Sequence, residues 1–262
     1  MMINKRDILD SVRTSDERLF LSKVLDQAIL CLKYHETRFT DFLDPYQQKL
    51  LERQWKKCQQ VNMHCWGGYE AAERNMVSFF PDYRQWDDID YPIAALEITG
   101  SDMDELNHRD FLGSILGLGI KREKIGDILI NKDLCYVFCI ADIKDFIGMN
   151  LARIANKNVC VTEKRFEEIR IPEKKFKAIN TTVASLRLDA ILSAALGEAR
   201  NKTAAYIKAE KVNVNWEPSK SASQLLKEGD ILSIRGKGRI ILDHIGGNTR
   251  KGRISICIKK YI

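Results

Sequence analysis

The feature that most constrains the fold is the order of predicted strands and helices in the middle third of the chain. Short apolar runs typical of strands lie at residues 93–98, 125–130, 134–140 and 159–162. One amphipathic helix follows Asn107 and another starts at Asp142. The order strand, helix, strand, strand, helix, strand is that of the split β-α-β arrangement. We therefore expect a multidomain α+β protein with a ferredoxin-like or RRM-like middle domain; this topology hosts many functions and assigns none.

The first third is predicted to be mainly helical. Thr14 and Glu17 fit a capping box. The pair Asp44-Pro45 marks the start of a second helix that extends to about residue 57. A short helix around residues 71–74 is also expected. This region offers no recognisable chemistry.

Charge is concentrated in the last third of the chain. Residues 1–80 carry a net charge of +1 and residues 81–178 carry −3, whereas residues 179–262 carry +8. A basic segment on a near-neutral body is typical of nucleic-acid binding, although a solvated basic surface would explain it equally well. Along the chain, predicted helices give way to mixed helices and strands and then to a basic segment. This change predicts three domains, over residues 1–76, 77–178 and 179–262.

Several classes of site are disfavoured. The seven cysteines are odd in number and include no Cys-x-x-Cys pair, which argues for free thiols and against a disulfide framework or a zinc site. The glycine loop at residues 117–127 lacks the spacing of nucleotide-binding loops, so no cofactor is expected. Its cations complement a helix C-terminus in the simplest interpretation. No apolar run is long enough for a membrane helix and no secretory signal opens the chain, which favours the cytoplasm.

Two aromatic residues on a predicted central strand allow two interpretations. Tyr136 and Phe138 alternate on one face, as base-stacking residues do in RNA-recognition modules. Cys135, Val137 and Cys139 make the other face apolar too, as in a strand covered on both sides. Core packing is therefore the favoured role of the two rings.

Four motifs in the basic third resemble a known module. In order they are Arg187-Leu188-Asp189, Arg200-Asn201-Lys202, the run from Lys211 to Trp216, and Glu228-Gly229-Asp230. They look like the αL RNA-binding module named after small-subunit ribosomal protein S-four. The resemblance implies two helices on a small sheet that present cations and amides to a structured RNA backbone.

The resemblance also implies which residues bind RNA. Arg187 and Arg200 rank first, because arginine suits bidentate phosphate contacts. The second rank is Lys202, Lys208, Lys211 and Asn215. The basic strands and hairpin that follow add Arg235, Lys237, Arg239, Arg250, Lys251 and Arg253. Where the module usually has Gly the chain has Glu210, so we expect a left-handed residue there, at a cost of about 1 kcal/mol.

Two longer stretches, residues 107–127 and 235–253, are similar to the bacterial YlmH family. This resemblance implies a cytoplasmic, non-enzymatic protein, expected as a monomer, that binds ribosomal RNA and peptidyl-tRNA on the large ribosomal subunit. It implies a role in ribosome-associated quality control of stalled nascent chains, and a link to cell division has been attached to the family. It also makes the middle domain a second RNA contact, through Arg109, Lys121, Arg122 and Lys124.

Two alternatives remain open. Arg187-Leu188-Asp189 echoes the aspartate motif of pseudouridine synthases, but the αL module accounts for all residues after Asp189, so an RNA-modifying enzyme is the less favoured alternative. An activity of the middle domain would have to use His108, Asp110 or Asp127. A ribosome-assembly or heat-shock factor would need the same contacts to RNA as a quality-control factor. The sequence does not separate these last two roles.

Overall fold

The computed structural model describes residues 3–12, 14–55, 61–173 and 175–261. The chain divides into two compact units, Met1–Pro172 and Glu173–Ile262. Both contain helices and sheets, so the expected mixed α and β class is observed. In the described residues, no helix is both long and apolar enough to cross a membrane.

The N-terminal region contains the helices predicted to start at Thr14 and Asp44 and, in addition, a three-stranded antiparallel sheet that was not predicted. The helices are α1 (Lys5–Asp10), α2 (Ser15–Tyr34) and α3 (Pro45–Trp55), and the strands are β1 (Arg38–Leu43), β2 (Asn62–Trp66) and β3 (Asn75–Phe80). The strand order is β1-β3-β2. The predicted domain boundary after residue 76 falls inside β3, which is the central strand of this sheet.

The local signals that start α2 and α3 are confirmed. The Thr14 side chain accepts a hydrogen bond from the backbone N–H of Glu17, and the Glu17 carboxylate accepts one from the backbone N–H of Thr14. Pro45 is the first residue of α3, and the Asp44 carboxylate accepts a backbone N–H of its first turn at 2.8 Å. The predicted end of α3 near residue 57 lies outside the described residues.

The middle region forms a five-stranded antiparallel sheet with two helices. In chain order its elements are β4 (Ile93–Gly100), α4 (His108–Gly117), β5 (Ile125–Ile130), β6 (Leu134–Ile140), α5 (Lys144–Asn150), β7 (Arg153–Ile154) and β8 (Lys157–Lys164). The strand order is β5-β6-β4-β8-β7. The six predicted elements therefore occur in the predicted order, and the two-residue β7 is an additional edge strand.

Both faces of the middle sheet are covered. On one face, Phe111 of α4 and Ile147 of α5 pack against Val137 of β6. The opposite face packs on the N-terminal sheet through a cluster that contains Phe42, Tyr69, Met76, Ala95 and Phe138. Each large apolar side chain buried in this way contributes about 1.5–3 kcal/mol. The N-terminal and middle regions therefore share a continuous core.

This packing decides the role of the strand aromatics. Phe138 is fully buried and Tyr136 is 4% exposed, so the prediction that both are core residues is confirmed. The Phe138 ring stacks on the Tyr69 ring with 5.2 Å between centroids. Because the N-terminal region occupies the face that carries Phe138, this ring is not accessible for stacking on RNA bases.

The second unit is a six-stranded antiparallel sheet with two helices. The helices are α6 (Leu188–Leu196) and α7 (Arg200–Lys208), and the strands are β9 (Phe176–Val183), β10 (Val212–Val214), β11 (Glu217–Pro218), β12 (Ile231–Ile234), β13 (Gly238–Asn248) and β14 (Ile254–Tyr261). The strand order is β11-β10-β12-β13-β14-β9. The predicted domain boundary after residue 178 falls inside β9, which pairs along its whole length with β14.

The core of the second unit lies between the helices and one face of the sheet. Leu188, Ile191 and Leu192 of α6 are fully buried there with Ile207 of α7. The sheet side of the core includes Ile240, Leu242, Ile256 and Ile258. Alternation along the strands then places the intervening residues on the opposite face.

Candidate nucleic-acid interface

Two arginines predicted to bind RNA share one carboxylate where α6 and α7 begin. Arg187 is the N-cap of α6 and Arg200 is the first residue of α7. Arg187 donates to Asp189 through Nε at 3.1 Å and Nη2 at 3.3 Å, and Arg200 donates through Nη2 at 2.7 Å. The side chains of Arg187 and Arg200 are 39% and 50% exposed, whereas that of Asp189 is 9% exposed. A nearly buried carboxylate thus holds two guanidinium groups that remain open to solvent.

Asp189 is held in its ionised form by this arrangement. Burial alone would raise the pKa of the carboxyl, but hydrogen bonds and charges from Arg187 and Arg200 outweigh it and hold the pKa of Asp189 below its ordinary value. Such charge-assisted hydrogen bonds are about twice as strong as neutral ones. The three side chains together carry one net positive charge.

The backbone around Asp189 is fixed by neighbouring segments. The N–H groups of Leu188 and Asp189 donate to the carbonyl oxygens of Gln224 at 2.8 Å and Ala222 at 3.1 Å. The hydroxyl of Thr203 in α7 donates to the carbonyl oxygen of Asp189 at 3.1 Å. These bonds join the start of α6 to α7 and to the loop before β12, so the arginine pair rests on a rigid support.

Two of the predicted lysines converge on another acidic residue. Lys202 and Lys237 lie 3.3 and 3.0 Å from Oε1 of Glu198, whose side chain is 15% exposed. The hydrogen bond from Lys237 holds the pKa of Glu198 below its ordinary value, against the opposing effect of burial. Each lysine therefore retains only part of its donor capacity for a phosphate.

Asn215 uses its amide inside the protein. Its Nδ2 donates to Oδ1 of Asp230 at 2.8 Å, and its Oδ1 accepts from the backbone N–H of Ile231 at 3.0 Å. Asn215 and Trp216 have φ of 49° and 69°, as the two central residues of a type I′ hairpin turn between β10 and β11 require. Asparagine adopts this conformation readily, whereas a bulky residue such as Trp216 does so at a cost. The predicted left-handed residue at the end of α7 is also confirmed, with φ 53° at Glu210.

The other predicted contacts of the second unit differ in their surroundings. Five are exposed and form no ion pair with another described residue: Lys208, Lys211, Arg235, Arg250 and Lys251. Arg253 donates to Oγ1 of Thr182 at 2.9 Å and to its carbonyl oxygen at 2.5 Å. Arg239 lies over the rings of Trp216 and Tyr261. Exposed cations and anchored ones thus occur in the same unit.

The four predicted contacts of the first unit do not form one patch. Arg109 lies in the first turn of α4 and Lys121 four residues after its last residue, and both are exposed. Arg122 donates to the carbonyl oxygen of Ile125 at 2.6 Å, and burial lowers its pKa to about 10. Lys124 pairs with Asp41 at 2.7 Å. Arg122 and Lys124 therefore attach the glycine loop to neighbouring strands, a role that the sequence did not indicate.

Asp127, the last residue of this loop, is a buried carboxylate with a structural role that the sequence did not indicate. Asp127 accepts hydrogen bonds from the Tyr69 hydroxyl at 2.7 Å and from the backbone N–H groups of Glu73 at 2.7 Å and Arg74 at 3.1 Å. The Arg74 guanidinium donates to carbonyl oxygens of β1 and β5. The segment predicted as a short helix at residues 71–74 is thus a turn around Asp127. The partners of Asp127 are distant in sequence, so no local sequence signal indicates that this carboxylate is buried.

The described residues contain no group of His, Cys, Asp and Glu side chains that could hold a metal ion. Six cysteines are described and all have free thiols; Cys160 is exposed, and Cys58 lies outside the described residues. Asp110, a candidate for an enzymatic role, forms a capping box with Asn107 at the start of α4. The structure thus gives Asp110 a helix-capping contact and Asp127 tertiary hydrogen bonds.

Comparison with known proteins shows matches along most of the chain. A family model described as "YlmH, N-terminal" matches residues 16–83, and one described as "Putative RNA-binding domain in YlmH" matches residues 87–168. A Bacillus subtilis (strain 168) protein named ribosome-associated protein quality control protein P2 is 31% identical over 246 residues, which is 94% of this chain and 95% of the relative. A solved structure titled cell division protein ylmH from Streptococcus pneumoniae has a TM-score of 0.54 and 25% identity, over 62% of this chain and 98% of that chain.

Proposed function

The chain belongs to the YlmH family, and from this we propose that it binds ribosomal RNA and peptidyl-tRNA on the large ribosomal subunit and acts in ribosome-associated quality control of stalled nascent chains. It works in the cytoplasm by binding, without a cofactor or a chemical step of its own. The name of the Bacillus subtilis relative supports the pathway, and the description of the matching model supports RNA as the ligand.

The observation that carries the proposal is the arginine pair on Asp189. Both guanidinium groups are oriented before any ligand arrives, and both are at least one-third exposed. A planar guanidinium can offer two parallel N–H donors to phosphate oxygens. Because the orientation is already fixed, less side-chain entropy is lost when a phosphate binds. Exposed cations such as Lys208 and Lys211 add charge on α7 and after it.

The topology of each unit supports the domain assignments that we propose. In the second unit, two short helices cover a small sheet and carry the arginine pair at their first turns, as expected for an αL module. In the first unit, the antiparallel order β5-β6-β4-β8 is the order of a ferredoxin-like sheet. The N-terminal region supplies the cover for one face of that sheet.

The middle region is proposed as a second RNA contact, but not through its sheet. The model that matches residues 87–168 is described as RNA-binding, while the aromatic face of the sheet is buried. Of the four predicted contacts in this region, Arg109 and Lys121 are the exposed ones, and we propose them for phosphate contacts. Contact at two places on one particle raises the apparent affinity through effective concentration.

The test is co-sedimentation with large ribosomal subunits that carry peptidyl-tRNA, measured over a series of salt concentrations. Arg200→Ala should weaken binding and reduce the slope of log affinity against log salt by about one unit. Lys227→Ala is the matched control, since it removes one exposed cation from the same unit outside the proposed interface. If Arg200→Ala leaves affinity and slope unchanged, the αL interface is wrong.

A second measurement separates quality control from ribosome assembly. RNA crosslinked to the protein in cells should come from peptidyl-tRNA and from the large-subunit RNA next to it. Crosslinks confined to precursor particles would instead support an assembly factor. A modified nucleoside formed by the purified protein, detected by mass spectrometry, would support an enzyme.

A further inference from the structure

We propose that the sheet face of the second unit opposite its helices carries a stacking site for an unpaired RNA base, formed by Trp216, Arg239 and Tyr261. This inference rests on the proposed RNA-binding function and specifies a contact that the arginine pair on Asp189 does not provide. The arginine pair would bind phosphates, which every nucleotide has. A stacking site would bind bases that are not paired in a helix.

Strand alternation places these side chains on the face away from α6 and α7. Ile240 and Leu242 of β13 are buried against the helices, so Arg239 points to the other side of the sheet. Ile258 of β14 is also buried against the helices, and Tyr261 lies three positions later on the opposite face. Phe176 of β9 is the direct cross-strand partner of Tyr261 and shares this face.

The four side chains form one contiguous group on this face. The guanidinium carbon of Arg239 lies 6.0 Å from the centroid of the Trp216 ring and 5.6 Å from that of the Tyr261 ring. Phe176 contacts Tyr261 edge to face, with 4.8 Å between centroids, and is 37% exposed. Trp216, Arg239 and Tyr261 are all partly exposed. Planar groups that are already oriented by one another can accept a further planar ring at little entropic cost.

The backbone of Trp216 is an independent sign of function. Trp216 occupies the second central position of the β10–β11 turn with φ 69°, where glycine is the favoured residue. Trp216 is partly exposed and contacts Arg239, so it is not a fully buried core residue. Residues held in unfavourable backbone conformations are concentrated at ligand-binding and active sites.

Charge and ring chemistry together select RNA as the occupant. Aromatic rings and arginine stack on every base, since each base has a π face. The exposed Arg235, in the turn between β12 and β13, adds a cation four residues before Arg239 for the adjoining phosphate. The surface therefore combines stacking groups with positive charge, the combination that single-stranded RNA requires.

The test uses two probes of equal charge, a hexamer of adenylate and the same ribose-phosphate hexamer without bases. The full-length protein should bind the adenylate hexamer about tenfold more tightly, as expected for one stacked base. Trp216→Leu and Tyr261→Leu should abolish this preference, whereas Trp216→Phe should retain it. Trp86→Leu is the matched control, since Trp86 is an exposed tryptophan in the first unit. Circular dichroism and thermal unfolding verify that each variant folds.

The outcomes distinguish this proposal from the proposed function. Equal affinity of the wild type for the two hexamers, or an undiminished preference in Trp216→Leu, overturns the stacking site and leaves ribosome binding by Arg187 and Arg200 intact. Loss of ribosome binding in Trp216→Leu with no preference for bases in the wild type indicates a protein contact at this face and also overturns it. Failure of the wild type to bind ribosomes contradicts the proposed function itself.

Discussion

Arg200 donates a hydrogen bond of 2.7 Å to Asp189, a residue eleven positions earlier on the preceding helix. This bond joins the first turns of α6 and α7 and, with the bonds from Arg187, determines the direction of both guanidinium groups. Asp189 does not face the solvent itself, since its side chain is 9% exposed. In the proposed function it is a positioning residue for the two arginines.

Asp189→Asn should therefore weaken both folding and ribosome binding. The amide keeps the shape but removes the negative charge between two cations, which costs about 1–2 kcal/mol of stability because the arginines are partly exposed. Ribosome affinity should fall although the variant gains net positive charge, and urea unfolding measures the stability. An increase in affinity would show that charge, and not orientation, governs binding.

The same carboxyl gives a prediction for pH. Its pKa is depressed in the folded chain, so its stabilising contribution is complete above the unfolded value near 4 and is lost as pH falls through the lower folded value. The difference in unfolding free energy between wild type and Asp189→Asn should thus be constant from pH 7 to about pH 5 and shrink below about pH 4. Urea titrations at several pH values measure it. A difference that grows on acidification would contradict the assignment.

Asp127 should be important for the stability of the first unit. Asp127→Ala leaves the Tyr69 hydroxyl and two backbone N–H groups without their acceptor, which costs about 3 kcal/mol or more. Tyr69→Phe removes one of these bonds and should cost about 1 kcal/mol. Asp133→Ala, in the exposed turn between β5 and β6, is the control and should change stability little. Chemical denaturation monitored by tryptophan fluorescence compares the three variants.

Two glycines should respond to alanine in opposite directions. A Cβ at Gly126 would lie 2.7 Å from the ring of Phe42 and 3.0 Å from Phe138, between the two packed sheets, and should cost about 1–3 kcal/mol. A Cβ at Gly113 in α4 meets no atom within 4 Å, so Gly113→Ala should stabilise by about 0.5–1 kcal/mol. Thermal unfolding of both variants measures the contrast. Equal effects would mean that the sheets do not pack as described.

Glu210 should be replaceable by glycine with a gain in stability. Its φ of 53° costs a non-glycine residue about 1 kcal/mol, and its exposed ion pair with Lys220 contributes little. Glu210→Gly should therefore stabilise the second unit by about 0.5–1 kcal/mol. Glu210→Ala removes the same ion pair but keeps the backbone strain, so it should bring no gain in thermal unfolding.

The sequence predicted features whose signals are local. The order of elements in the middle region follows from apolar periodicity and from the cap at Asn107, and the start of α2 follows from the cap at Thr14; the structure contains both caps. Strands β1 and β2 were missed, because their pairing partner β3 lies farther along the chain and neither run alternates cleanly. The anchoring of Asn215 was missed for a related reason, since the fold brings Asp230, fifteen residues later, to its amide.

The contact between the N-terminal sheet and the middle sheet has a practical consequence for dissecting the protein. A fragment limited to residues 87–168 would expose Phe138, Ala95 and their neighbours, which the N-terminal region covers in the whole chain. Such a fragment should aggregate on purification, whereas one that spans residues 1–172 should stay monodisperse. If the shorter fragment failed to bind RNA, the cause would be the loss of the N-terminal region that covers its sheet, and not the absence of an RNA-binding surface.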